Sequence, residues 1–330
     1  MAYYREGCLS AWPLSFPSLF QALYLWSFSI HVLFLQRPWP PRPVQLLKAL
    51  LLFLLVWPLP LDTGSDAGPL IKWPQLNRVP PRPADAIGGR EFARLTAELS
   101  GPDRQQAALA ELRRGNVPQF LRRLKPVVLT HQTPAGDTLA AIIWVTPDYL
   151  AIGADEDFLR IPLAYPSATA IAGEFGCVLP TRKMVDAIYE QSALHLRPQP
   201  MQPGPRMRSS EYYLRHQQLI ENQLNGRSRG ELVSGHKKDV VLTNRLHRKP
   251  GRIAIYGWHQ PNGEPIQPLS TVHGARYADY SHGIRLVSAE FWINGQAHSV
   301  YDALQDPELA LLLTYEGVIE RPLALMRRPR

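Results

Sequence analysis

Two apolar stretches at the N-terminus, both interrupted or ended by proline, constrain this chain more than any other feature. Residues 14–35 are apolar and aromatic but carry Pro17, Gln21 and His31, whereas residues 46–61 hold a denser leucine core that Pro58 and Pro60 bring to an end. Arg37, Arg42 and Lys48 precede or open that core, and a positive approach to a short apolar run is the layout of a signal peptide. A spanning helix needs about 20 apolar residues, and the second stretch is short for that. No small-x-small cleavage pattern follows before Gly64 or Ala67. Three readings stay open: an extension ahead of a signal peptide, a membrane span in the first stretch, or a hairpin of both. Each makes the chain secreted or periplasmic, or anchored to a membrane through its N-terminus. The competing reading, a buried core helix, is weakened by the junction RPWPPRP at residues 37–43.

Residues 62–89 are rich in Pro, Gly and Asp without a period and read as a linker. A single domain is then expected over 90–320, followed by a basic tail over 321–330. The formal net charge of +8 fits an anionic partner such as a cell-wall polymer or lipid headgroups. No helix-turn-helix, zinc-finger or RNA-binding signature is present, so nucleic acid is not the expected partner. The two cysteines, Cys8 and Cys177, leave no room for a disulfide framework or a cysteine-based zinc site within the domain.

Within the domain, Phe92, Leu95 and Leu99 share a helical face that ends at Ser100-Gly101-Pro102, and a second helix runs from Asp103 to Arg114. The period then changes. Residues 126–132 and 138–153 are β-branched and aromatic runs around a Pro134–Asp137 turn, and 157–163 continues as a strand. Pro166 opens a helix closed by Gly176, Thr181 caps another, and residues 210–224 form a third that ends at Asn225-Gly226. The last third returns to strands, with Asn294-Gly295 the strongest hairpin signal in the chain. The pattern predicts an α+β fold, with a mostly antiparallel sheet and helices in the N-terminal half and middle of one domain.

Reactive side chains are densest from Gly257 to Arg285, a segment holding His259, His273, Asp279, His282 and Arg285 with Tyr277 and Tyr280. A loop so rich in polar heads points to function more than to packing, although hydrogen-bonded loop residues are the bland alternative. Two mechanisms fit a hydrolase or transferase acting on an envelope peptide or glycan. In one, Cys177 is the nucleophile, His273 or His282 its base and Asp279 the group that orients the imidazole; Lys237, Tyr280 and Arg285 then bind substrate and no cofactor is needed. Cys177 precedes the Thr181 cap, near a helix start that favours a thiolate, and an inert buried cysteine is the alternative. In the other, His259, His273 and His282 bind zinc and a bound water attacks. Lys237 and Lys238 beside His236 can hold a carboxylate or phosphate, or simply face solvent at a strand start. Trp144, Trp258 and Trp292 can stack on a sugar, or pack in strands. A non-enzymatic envelope protein whose Tyr/His/Trp loop binds a polymer or a partner is the competing class.

HGARYADYSHGIRL (273–286) resembles the signature of L,D-transpeptidases, cell-wall enzymes that join peptidoglycan stems. His273-Gly274, Ser281-His282-Gly283 and Ile284-Arg285 follow that family's pattern, but the nucleophilic cysteine it places between Gly283 and Ile284 is missing and the gap between the histidines is shorter. What the resemblance implies is therefore a His/Arg site on a strand turn, without the family's chemistry. More broadly, RRGNVPQFLRRLKPV, VTPDYLAIGADEDF, GCVLPTRKMVDAIY, GHKKDVV, IYGWH and YADYSHGIRLV resemble an uncharacterised group of bacterial exported proteins over roughly residues 105–315. That similarity implies export and one domain.

Overall fold

The second half of the expected linker is built into the fold. In the computed structural model, which describes residues 74–227 and 229–326, Gln75 bridges to Arg123, Leu76 and Val79 are buried, and Arg82 donates to the Asn116 side chain at 2.9 Å. The prolines of this segment stiffen an extended strap rather than a free spacer. The start of the expected basic tail is likewise built in: a short helix over Pro322–Met326 buries Leu325 and Met326, and the Tyr165 hydroxyl donates to the Leu325 carbonyl at 2.9 Å. All described residues fall in one compact unit. The apolar stretches of 1–61, Cys8 and the arginines of 327–330 lie outside the described residues. Among the described residues no helix is long and apolar enough to cross a membrane.

The fold is α+β, as the pattern predicts. Helix α1 (Gly89–Leu95) is shorter than expected: Phe92 is buried, but Leu95 and Leu99 are 53% and 37% exposed, so their shared face is not a core face. Ser100 caps α2 (Gly101–Arg113) by accepting from the Asp103 amide at 3.3 Å. Strands β1 (Lys125–Gln132) and β2 (Thr138–Val145) form a hairpin in full register, from Lys125 opposite Val145 to Gln132 opposite Thr138. The predicted long run 138–153 breaks after Val145, because Pro147 offers no donor and Asp148 turns inward to Arg160. It resumes as β3 (Ala151–Gly153), paired with β4 (Phe158–Arg160).

Helix α3 (Tyr165–Glu174) leads into β5 (Cys177–Val178), and α4 (Arg182–Gln191) starts at the Thr181 cap, whose hydroxyl accepts from the Met184 amide at 3.3 Å. Strand β6 (Leu194–His195) and α5 (Ser210–Leu224) follow; Asn225 then takes a left-handed φ of 46°, ending α5 as the sequence predicts. The later strands are β7 (Val233–Ser234), β8 (Lys238–Val240), β9 (Ile255–His259), β10 (Pro265–Ser270), β11 (His282–Gly283), β12 (Val287–Ile293) and β13 (Gln296–Ser299). Between β12 and β13, Asn294 and Gly295 adopt φ of 50° and 78°, the double left-handed turn that matches strand twist.

The strands form two main sheets. The larger has the order β1-β2-β12-β13, with β5 also pairing to β12; the smaller has the order β10-β9-β8-β11. Pairing is antiparallel except for short parallel contacts, one of which sets His282 opposite Lys238 and Gly283 opposite Asp239. Residues 284–286 form the seam between the two sheets: the Leu150 amide donates to the Ile284 carbonyl at 2.8 Å and the Thr146 amide to the Leu286 carbonyl at 2.9 Å. The chemistry-rich segment therefore enters the interior instead of lying on the surface as a loop.

Candidate functional site

The site grows from the pairing of β8 with β11. Gly235, at φ +92° and with the Leu196 carbonyl 2.3 Å from where a Cβ would sit, turns the chain toward β8, with Lys237 buried just ahead of the strand and Lys238 half-buried at its first position. Opposite them, Asp279 accepts from the Ser281 amide at 2.8 Å, the Ser281 hydroxyl at 2.6 Å and the Tyr277 hydroxyl at 2.9 Å. Burial works against the charge of this carboxylate, but the nearby His282 and the hydrogen bonds from Ser281 and Tyr277 outweigh it and hold the group below its ordinary range.

His282 is fully buried, and neither of its ring nitrogens has a partner among the described residues. Burial, only partly offset by Asp279, brings its pKa down to about 4, so at neutral pH the ring is an uncharged imidazole with one donor and one acceptor. His273 lies above it, half-buried, its ring stacked on Tyr277 at 4.3 Å and 6.3 Å from the His282 ring. Burial lowers the pKa of His273 as well, with Asp279 opposing. Lys238 is also half-buried and sets its ammonium 5.0 Å from the Trp258 ring centre, while the exposed Arg208 lies 5.6 Å from that of Tyr277. His273, Lys238, Tyr277 and Arg208 thus reach solvent around a buried His282–Asp279 pair.

Beneath Lys238 the interior is unusually polar. The buried Lys237 ammonium donates to the Tyr280 carbonyl at 2.6 Å and to Nδ1 of His216 at 3.4 Å, and burial brings its pKa down to about 7. Among the described residues His216 Nε2 and Trp258 Nε1 are buried without partners, and Trp258 holds a left-handed φ of 57° inside β9. Farther in, Asp148 meets Arg160 at 2.5 Å and His236 Nε2 at 3.1 Å. Burial opposes ionisation of Asp148, but Arg160 and His236 override it and hold the carboxyl well below the usual range. Tyr149 donates to Asp239 at 2.9 Å, and the Arg285 guanidinium lies 4.3 Å from the centre of the Tyr149 ring.

The structure brings His273, His282, Asp279 and Tyr277 together, and adds Lys238, but several expected site residues fall elsewhere. Cys177 is the main correction. Its thiol is 2% exposed on β5, its hydrogen bond goes to the Phe175 carbonyl at 3.7 Å, and burial pushes its pKa up to about 12. Among the described residues no hydrogen bond or ring contact joins it to a histidine, and a sulfur so buried does not fit the part of a nucleophile. Arg285 is fully buried and donates to the carbonyls of Thr146 and Val233 at 2.9 and 2.6 Å, a brace for the seam rather than a substrate anchor. Tyr280 is 2% exposed and its hydroxyl accepts from the Met201 amide at 2.7 Å; Lys237 is 3% exposed. Both belong to the interior.

The three histidines of the zinc alternative do not converge. His259 Nε2 meets Asp186 at 3.2 Å and its ring stacks on Tyr189 at 4.5 Å, two strands away from His282. Among the described residues no group of three metal-binding side chains is arranged around one point. Trp144 and Trp292 pack edge to face at 5.3 Å, which is core packing and not a sugar platform. A cleft of about 270 Å³ lined by His195, Arg197, Gln223 and Arg227 lies apart and shares no lining residue with the cluster.

Two contributors escape the sequence reading, His216 and the Asp148–Arg160–His236 network. His216 has a legible signal: Tyr212, His216, Ile220 and Leu224 repeat every four residues along α5, a core stripe with a histidine in it. The network joins residues far apart in sequence, and nothing local marks it. Comparison with known proteins finds no matching family model, no similar curated protein and no similar solved structure.

Proposed function

We propose that this domain binds a peptide or glycan polymer of the cell envelope through His273, Tyr277, Lys238 and the underlying His282–Asp279 pair, the N-terminal stretches serving export or anchoring. The observation that carries the reading is His282. A fully buried imidazole with both nitrogens unpartnered leaves hydrogen-bonding capacity that costs about 1–3 kcal/mol per group when unmet. Its ring centre is 6.3 Å from that of His273, and its backbone pairs across the strands with Lys238; both of those residues are half-buried and reach solvent. A ligand seated against those groups lies over the sealed ring, and the unmet capacity beneath them favours a local opening that admits it. Tyr277, stacked on His273, gives such a ligand a flat face to lie against.

A second reading, hydrolysis or group transfer on the same polymer, has one observation in its favour. His273 is half-buried, has its pKa lowered by burial, and lies in the field of Asp279, which suits it to accept a proton from an attacking water. In that reading the chemistry needs no thiol.

Co-sedimentation of the purified full chain with insoluble peptidoglycan tests the binding reading. His273→Ala and Lys238→Met are expected to weaken retention by about tenfold each, as loss of a charged or neutral hydrogen bond does. Undiminished retention of both variants refutes it. Release of soluble fragments from the same material, lost in His273→Ala, would select the catalytic reading over simple binding.

A further inference from the structure

We propose that the cleft of about 270 Å³ between β6 and the end of α5 binds the phosphate of a small soluble phosphate monoester, at a site separate from the polymer-binding cluster. Its charged lining is two arginines, Arg197 and Arg227, and no carboxylate borders it among the described residues. Both arginines are fixed through the backbone. Gln223, near the end of α5, clasps Arg197: its Oε1 accepts from the Arg197 amide at 2.8 Å and its Nε2 donates to the Arg197 carbonyl at 3.1 Å. Arg227 donates its amide to the Leu224 carbonyl at 3.0 Å, just past the left-handed Asn225 and Gly226. Neither guanidinium has an ion pair, hydrogen bond or ring contact among the described residues, although both line one opening. Arg229, two residues on, is occupied by contrast: it meets Glu221 at 2.8 Å and covers the Phe158 ring at 4.6 Å.

The acids nearby do not cancel this charge. Glu221 already serves Arg160 and Arg229 at 2.8 Å each. Asp148 is held by Arg160 and His236, behind a narrow crevice that adjoins the cleft at Arg227. Glu231 borders that crevice, but it does not line the cleft and forms no ion pair among the described residues. The C-terminal end of α5 opposes an anion, yet the Arg227 amide takes the Leu224 carbonyl and the Asn225 amide takes that of Glu221, which leaves fewer carbonyls free. Oxygen count separates a phosphate from a carboxylate. One guanidinium fork engages both oxygens of a carboxylate and leaves the second arginine without a partner, whereas the three terminal oxygens and two charges of a phosphate monoester serve both forks. His195 points to the ester. Its Nε2 meets the Tyr189 carbonyl at 2.6 Å, and a carbonyl only accepts, so the uncharged ring carries its proton there and leaves a lone pair on Nδ1. That lone pair accepts from a hydroxyl of the alcohol part. The ring is held in place 4.5 Å from that of Tyr189, whose hydroxyl donates to the Gln260 carbonyl at 2.6 Å. The cleft is smaller than the roughly 300–1,000 Å³ of sites for drug-sized ligands, which suits a compound of sugar-phosphate size.

The test titrates the full chain with glucose 6-phosphate, glucose and acetate at neutral pH and constant ionic strength, following the ring resonances of His195. Glucose 6-phosphate is expected to shift them saturably, glucose not at all, and acetate about tenfold more weakly. Arg197→Met and Arg227→Met, at exposed positions, are each expected to weaken glucose 6-phosphate about tenfold. Arg215→Met removes the same charge from an exposed position of α5 outside the cleft and should leave binding unchanged. An equal loss in Arg215→Met would mean diffuse attraction and no site, and acetate binding as tightly as glucose 6-phosphate would overturn the phosphate. Capture by vesicles containing phosphatidic acid, with no response to glucose 6-phosphate, would put the phosphate on a membrane and overturn the soluble ester. Retention on peptidoglycan should match the parent protein in Arg197→Met and Arg227→Met, so the two sites stand or fall separately.

Discussion

Gly283 lies against the ring of Tyr149 so closely that a Cβ at position 283 would sit 2.5 Å from Cδ1 and 2.6 Å from Cε1. Tyr149 cannot yield, since its hydroxyl donates to Asp239 at 2.9 Å and Arg285 covers its ring at 4.3 Å. That contact carries β11 past the larger sheet and fixes where His282 stands, one residue away. Gly283→Ala is expected to destabilise the protein by about 2–3 kcal/mol, the upper part of the range for overpacking a rigid core. A urea denaturation midpoint within error of the parent protein would contradict this.

Acid should weaken the fold in a defined window. His282 and His236 have pKa values brought by burial from 6.5 to about 4, and His216 is displaced in the same direction. As pH falls through 6.5 the unfolded chain takes up protons that the folded protein refuses until about 4, so stability drops across that interval. Asp148, held well below the ordinary carboxylate range, keeps its contribution throughout it. Asp239 acts in the opposite sense: burial raises it to about 6, so the folded state protonates first and gains as pH falls. The two rings near 4 against one carboxylate leave a net loss on the order of 3 kcal/mol between pH 6.5 and 4, which His216 and His273, displaced in the same direction, deepen. Denaturant titrations at pH 7 and pH 4.5 measure it, and His282→Gln should shrink the difference. An unchanged difference in that variant would show that His282 does not titrate as described.

The thiol of Cys177 should be silent in the folded protein. In a Cys8→Ser background, a thiol-specific reagent is expected to label Cys177 only on unfolding, at a rate that follows denaturant, because the sulfur is buried and its pKa stands near 12. Cys177→Ala should leave polymer retention unchanged. Rapid labelling under native conditions would restore the nucleophile reading that the geometry removes.

Much of the architecture is legible along the chain because its signals are local. The Thr181 cap, the Asn225 exit and the Asn294-Gly295 hairpin each depend on a few neighbouring residues, and each forms as the sequence predicts. Strand β10 escapes because Pro265 and Pro268 suppress a strand signal in what proves to be an edge strand, where missing donors are tolerated. The site is legible only in composition. The density of histidine and tyrosine over 273–282 marks the right segment, yet burial decides which of its groups meet a ligand. Arg285 and Tyr280 read like anchors because they are polar, and prove to be braces because residues 284–286 close the seam between two sheets. Cys177 reads like a nucleophile because it is the lone thiol of the domain, and its place against β12 is set by pairing to Ser288, which no local pattern announces.

The most direct test of the account is the imidazole nitrogen spectrum of His282 in the full chain at neutral pH, recorded before and after adding soluble peptidoglycan fragments. A neutral ring is expected whose two nitrogen resonances shift on addition, while Nε2 of His236, already bonded to Asp148 at 3.1 Å, stays in place. A His282 spectrum that does not respond to saturating fragments would contradict it.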